Sequence, residues 1–190
     1  MNLSNKKVIG FDLDGVILDH SQQKQKLAKR FGYEVELTET PSSIFYKRIE
    51  DKDKYREIRS ILYDDPIEAF LSPLMSGALD GLKMVKDSGT PFYLISRRKK
   101  EDRAIELLKD KNLWPSLFNE ENTFFVLEPI DKEIKAKELS ITHYIDDEAQ
   151  ILSLLNSVKN KYLFDQFGVY DDSQYDLVKN WGDILRVLNV

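Results

Sequence analysis

Cysteine is absent from this 190-residue chain and histidine occurs only twice. Those absences exclude disulfides, thiol catalysis and cysteine-ligated zinc, and leave too few imidazoles for a histidine-rich metal site. Long apolar runs are also missing: none approaches the roughly 20 residues needed to cross a bilayer, so no membrane span is expected. The first fifteen residues lack a signal-peptide layout, because Lys6 and Lys7 are followed only by a short apolar stretch that Asp12 and Asp14 interrupt. No excess of positive charge is present. Lys and Arg number 28 against 33 Asp and Glu, a net charge of -5, which argues against a nucleic-acid polymer held by bulk electrostatics. The 42% apolar and 11% aromatic content excludes disorder, and the length suits one domain, or one domain with a small insertion. The expectation is a soluble, cytoplasmic globular protein.

Three short apolar runs each end in residues able to do chemistry. Val8, Ile9, Phe11 and Leu13 lead into Asp12-Leu13-Asp14-Gly15, residues 91–95 end at Ser96, and His143-Tyr144-Ile145 ends at Asp146-Asp147. Residues 124–127 and 161–164 read as further strands. All are nearly continuous and rich in β-branched or aromatic residues, as expected of strands covered on both faces. Helical stripes lie between them: Ala78, Leu82 and Val85; Ala104, Ile105 and Leu108; Ile151, Leu154, Leu155 and Val158; and Leu177, Trp181, Ile184, Leu185 and Leu188. The alternation predicts βαβ units and a parallel α/β sheet, with sites beyond the carboxyl ends of the strands. Residues 19–73 break the pattern. They show no strand, but helical segments over 21–31, 42–50 and 54–62, and read as a helical insertion after the first strand.

Asp12 and Asp14, two apart on an extended strand, would point the same way. One carboxylate could then attack while its partner moves a proton, provided a cation absorbs the shared charge. A calcium loop is excluded, because position 16 is Val and the twelfth loop position lacks Glu. Asp146 and Asp147 offer the hard oxygen ligands that magnesium prefers, although the same pair would also suit a helix start. Ser96, followed by Arg97-Arg98-Lys99-Lys100, is placed for a phosphate oxygen or for a plain N-cap. Lys132, on the short stretch 131–134, could neutralise a phosphoryl group. His20 and His143 read as packing or hydrogen-bonding residues.

Taken together, these motifs resemble the haloacid dehalogenase superfamily of phosphohydrolases. The match runs over Phe11-Asp12-Leu13-Asp14-Gly15-Val16, Leu94-Ile95-Ser96, Lys132 and Tyr144-Ile145-Asp146-Asp147-Glu148. The resemblance implies a Rossmann-like core over 1–18 and 74–190 with a small α-helical cap over 19–73. It implies a phosphomonoesterase in which Asp12 is the nucleophile, Asp14 the acid and base, and Ser96, Arg97 and Lys132 the phosphate ligands, with Lys135 in reserve. It further implies Mg2+ held by Asp12, the Asp14 carbonyl and Asp146, with Asp147 helping directly or through water. Val16 stands where many such phosphatases carry Thr or Ser, so nothing at that position hydrogen-bonds Asp14.

A narrower resemblance is to the deoxyribonucleotidase (5'-nucleotidase type C) branch, through Ser96-Arg97-Arg98, residues 162–166 and Asn180-Trp181. It implies a (deoxy)nucleoside monophosphate substrate, with Phe45, Tyr46, Tyr55 and Tyr63 as candidates to stack on a base. The expected partner is a small phosphorylated molecule, and neither a nucleic-acid polymer nor a membrane. The competing reading is a phosphoacceptor or regulatory protein of the same fold without turnover. The basic residues Lys47, Arg48, Lys52, Lys54, Arg56 and Arg59 could attract an anion, or simply form a solvated face.

Overall fold

Ile9, Gly10 and Phe11 are all buried, so three residues suffice for a strand at the centre of a sheet. A computed structural model describes residues 6–171 and 174–190; the first five residues of the expected 1–18 core segment lie outside it. The strands are β1 (Ile9–Phe11), β2 (Phe92–Ser96), β3 (Thr123–Phe125), β4 (His143–Asp146), β5 (Asn160–Phe164) and β6 (Asp176–Val178). They form one sheet in the order β3-β2-β1-β4-β5-β6, and every neighbouring pair is parallel. The chain order therefore reverses between β1 and β4. Open α/β sheets place their ligands at this switch point, beyond the carboxyl ends of the strands. Here Asp12 follows β1 and Asp146 closes β4.

Helices α1 (Ser21–Arg30), α2 (Ser42–Arg48) and α3 (Lys52–Asp64) form the insertion, and Leu27, Ala28, Val35, Phe45, Ile49, Ile58 and Leu62 give it a small core of its own. Its two linkers run side by side: Leu18 bridges Leu74 antiparallel, and the Asp19 amide donates to the Pro73 carbonyl at 2.9 Å. Helices α4 (Ala78–Asp87), α5 (Glu101–Asp110), α6 (Pro129–Glu138), α7 (Ala149–Leu154) and α8 (Trp181–Leu188) belong to the sheet unit. None of the described helices is long and apolar enough to cross a membrane.

Three expectations need correction. Leu177 lies in β6, not in the C-terminal helix, because an edge strand with only Val178 buried mimics the start of a helical stripe. The helix after Asp147 stops at Leu154, and Leu155 and Val158 are buried from the turn beyond it. Lys132 sits on a full helix, α6, rather than on a short stretch.

Trp181 joins the two sides of the core. Its ring stacks on Phe11 at 5.5 Å between centroids, and its Nε1–H donates to the Val16 carbonyl at 2.9 Å. A Cβ on Gly81 would lie 2.4 Å from Trp181 Cε3, so α4 and α8 pack at a distance only glycine permits. Trp181→Ala removes this wedge and is expected to cost about 3–5 kcal/mol, read as a lower urea midpoint with an unchanged slope.

Candidate active site

The turn after β1 carries the first two acids. Gly15 has φ +87°, and a Cβ there would lie 2.4 Å from Asp147 Cγ. Glycine thus lets the first loop close onto the fourth-strand acids. Asp12, Asp146 and Asp147 are all buried, and a carboxylate oxygen of each falls within 4.8 Å of the others. Lys132, 1% exposed on α6, bridges two of them: its Nζ lies 2.9 Å from Asp12 Oδ1 and 2.8 Å from Asp146 Oδ2. The Glu148 amide donates to Asp146 Oδ1 at 2.9 Å.

Three clustered acids, with one lysine bridging only Asp12 and Asp146, leave excess negative charge in a buried space. Burial pushes the Asp12 carboxyl up to about 7 even with Lys132 beside it, and Asp146 and Asp14 add to the rise. Burial, then Glu148 and Asp146, push Asp147 well up. Lys132 is held above its ordinary value, because Asp12 and Asp146 outweigh a burial effect of opposite sign. A divalent cation among these oxygens would relieve the repulsion, and an all-oxygen donor set suits magnesium.

Asp14 faces elsewhere. Arg98 grips its carboxylate with Nε at 2.9 Å and a terminal nitrogen at 2.6 Å, and His20 Nε2 lies 2.7 Å away. Burial would raise this acid, but Arg98 and then His20 hold it far below the usual carboxylate range. His20 Nδ1 meets Ser72 Oγ at 2.6 Å, and a neutral ring protonated at Nε2 would donate to Asp14 while accepting from Ser72. Burial lowers its basicity. Nothing at Val16 holds Asp14, as expected from the sequence; Arg98 and His20 do so instead.

Ser96 is fully buried at the end of β2, and its hydroxyl has no hydrogen-bond partner among the described residues. An orphaned donor at a strand end is suited to a ligand oxygen. Arg97 lies beside it, paired with both Glu148 oxygens at 3.2 and 3.3 Å. Lys135 faces away, bonding Glu138 at 2.7 Å, so of the two lysines only Lys132 reaches the acids.

Two cavities open over this cluster, of about 390 and 460 Å³. The first reaches Asp12, Asp14 and Arg98; the second runs beneath the insertion to Lys24, Phe45, Tyr46 and Tyr55. Ser42, Arg59, Tyr63, Arg97 and Glu148 line both. Of the residues behind the narrower nucleotidase resemblance, Asn180 caps α8, Trp181 is core, and Asp165 accepts from the Val169 and Tyr170 amides.

No protein-family model and no curated protein matches the chain. Solved structures do. A HAD family hydrolase from Deinococcus radiodurans R1, solved with bound phosphate and sodium, is 16% identical with a TM-score of 0.65, covering 96% of this chain and 95% of that one. This is the haloacid dehalogenase-like fold. A haloacid dehalogenase-like protein of Agrobacterium tumefaciens is 13% identical (TM-score 0.64, 97% and 98% covered). A HAD hydrolase of family IA from Entamoeba histolytica is 16% identical (TM-score 0.57, 93% and 94% covered). At such identities the likeness is one of fold, and it spans nearly the whole of each chain.

Sequence reasoning gave Arg98 only within a basic run and the Ser96-Arg97-Arg98 resemblance, with no role as the partner of Asp14, and Lys24 did not stand out at all. Lys24 shares a helix face with Leu27 and Ala28 (three and four residues on), and a lysine on an apolar face was the available signal. Lys132→Met is expected to destabilise the metal-free protein by about 3–5 kcal/mol, because it leaves Asp12 and Asp146 buried without their counter-charge. Urea unfolding at neutral pH measures the loss.

Proposed function

We propose that this chain is a magnesium-dependent phosphomonoesterase that acts through an aspartyl-phosphate on Asp12. The observation that carries the reading is the cluster of Asp12, Asp146 and Asp147 at the switch point of the sheet, with Lys132 bridging the first two. Asp12 Oδ attacks phosphorus, and the bond to the leaving oxygen breaks as that oxygen takes a proton from Asp14. Water then attacks the same phosphorus and returns its proton to Asp14, which frees Asp12 and releases inorganic phosphate. Ser96, Arg97 and Lys132 hold the phosphoryl oxygens. Asp12, Asp146, Asp147 and the Asp14 carbonyl would hold the magnesium ion, whose charge offsets repulsion between a carboxylate and a phosphate dianion.

In the geometry described, Asp14 is an acceptor. To donate a proton it must be released by Arg98, which also donates to the Tyr63 carbonyl at 3.0 Å. That link runs from the core to α3, so movement of the insertion would free the acid as it excludes water. The partner would be a small phosphorylated metabolite met in the cytoplasm, rather than a nucleic-acid polymer or a membrane. A nucleoside monophosphate is a second reading, for which the second cavity beside the site offers space.

Asp12→Asn keeps the shape of the side chain but not its nucleophilicity, so turnover should vanish while the far-UV spectrum and urea midpoint stay near those of the native protein. The assay is phosphate release from a broad panel of phosphomonoesters, nucleoside monophosphates included, with magnesium and with EDTA. Activity that persists in EDTA, or in the variant, would remove the proposal.

A further inference from the structure

The phosphoryl chemistry uses neither Lys24 nor Arg59, and both face the second cavity. Lys24 is 7% exposed; its Nζ donates to the Thr40 carbonyl at 2.9 Å and the Ser42 hydroxyl at 3.3 Å. Among the described residues no carboxylate forms an ion pair with it. An ammonium buried against two neutral acceptors keeps one donor free, and carboxylates balance its charge only at longer range, Asp147 first and then Glu148 and Asp14. Arg59 is likewise without a carboxylate partner among the described residues, although Arg48, Arg56, Arg97 and Arg98 around it each have one.

The tyrosines of this cavity already carry cations on their rings. Lys52 Nζ lies 3.8 Å from the Tyr46 centroid, and the Arg59 guanidinium lies 5.9 Å from Tyr55 and 5.4 Å from Tyr63. Arg98 sits 4.8 Å from Tyr63 as well. A base stacking flat on these rings would displace a cation, whereas an anion would join one.

We infer that the second cavity is an anion subsite, in which Lys24 and Arg59 hold a carboxylate or second phosphate carried on the leaving group. This assignment rests on the phosphomonoesterase reading above and narrows its substrate to doubly anionic esters. The cavity shares five lining residues with the one above Asp12, so a single small molecule can reach both. Charge-assisted hydrogen bonds of this kind discriminate by about 10–100-fold.

Matched pairs of esters test the inference. For a carboxylate, 3-phosphoglycerate is compared with glycerol 3-phosphate. For a second phosphate, fructose 1,6-bisphosphate is compared with fructose 6-phosphate, and adenosine 3',5'-bisphosphate with adenosine 5'-monophosphate. The native enzyme should favour the doubly anionic member of at least one pair by about 10-fold or more in kcat/KM, and the pair that responds identifies the group. Lys24→Met and Arg59→Gln should each bring that ratio towards one; Arg59 is exposed, so its replacement leaves the fold out of the question. Equal rates within every pair, or ratios that survive both substitutions, would overturn the subsite. Ser42 Oγ also donates to Asp147 at 3.5 Å. A raised magnesium requirement in Lys24→Met with its ratio intact would therefore make Lys24 a counter-charge for the acids and equally overturn the assignment. Calorimetric binding of the same pairs to Asp12→Asn separates the two levels. If native enzyme releases no phosphate from any ester, the phosphatase reading falls, while the affinity ratio still decides the subsite.

Discussion

The crowding of three buried carboxylates, two of them bridged by one lysine, is the constraint on which the rest of this structure depends. Lys132 reaches Asp12 and Asp146 together, and without it two acids from different strands could not share so dry a space. Even with it, negative charge remains in excess, and burial lifts Asp12 and Asp147 well above ordinary carboxylate behaviour. A site built this way is unfinished as a purely protein structure. On the reading proposed above, it would be completed by a cation and by an electrophile that accepts a carboxylate, which is what a phosphoryl group offers beside a hard metal ion.

The fold supplies that crowding cheaply. Reversal of strand order between β1 and β4 leaves a crevice between their carboxyl ends, and each strand delivers an acid into it. Gly15 lets the first loop approach Asp147 more closely than any side chain would allow. The helical insertion then covers the crevice, hinged on paired linkers at Leu18 and Leu74. His20 and Ser72, one on each linker side, meet at 2.6 Å beneath Asp14. Arg98 completes the connection by holding Asp14 and the Tyr63 carbonyl at once. Asp14, the acid that the proposed mechanism asks to move a proton, is thus tied to both linkers and to the insertion.

Much of this was legible in the sequence because the sheet is buried on both faces. Continuous apolar runs at 8–13, 91–95 and 143–145 could only be central strands, and the polar residues that ended them could only lie at one rim. The insertion was visible as an absence of such runs. What escaped notice had inverted or marginal patterns. Helix α6 exposes Ile130 and Ile134 while burying Lys132 and Ala136, so its amphipathic stripe points the wrong way for a reader who expects apolar residues inside. Strand β6 is an edge strand of three residues, and Leu177 lay in register with the helix that follows. The Arg98 clamp depends on two segments 84 residues apart, a contact that no local spacing encodes.

The central claim is that Asp12 attacks phosphorus, and Asp14→Asn protein mixed with p-nitrophenyl phosphate tests it most directly. That leaving group needs no proton, so the first step should run while the second, lacking its base, stalls. The account predicts a burst of nitrophenolate stoichiometric with enzyme, and covalent phosphate located by peptide mass spectrometry on Asp12. Covalent phosphate on another residue, or steady release without a burst and with Asp12 unmodified, would contradict it.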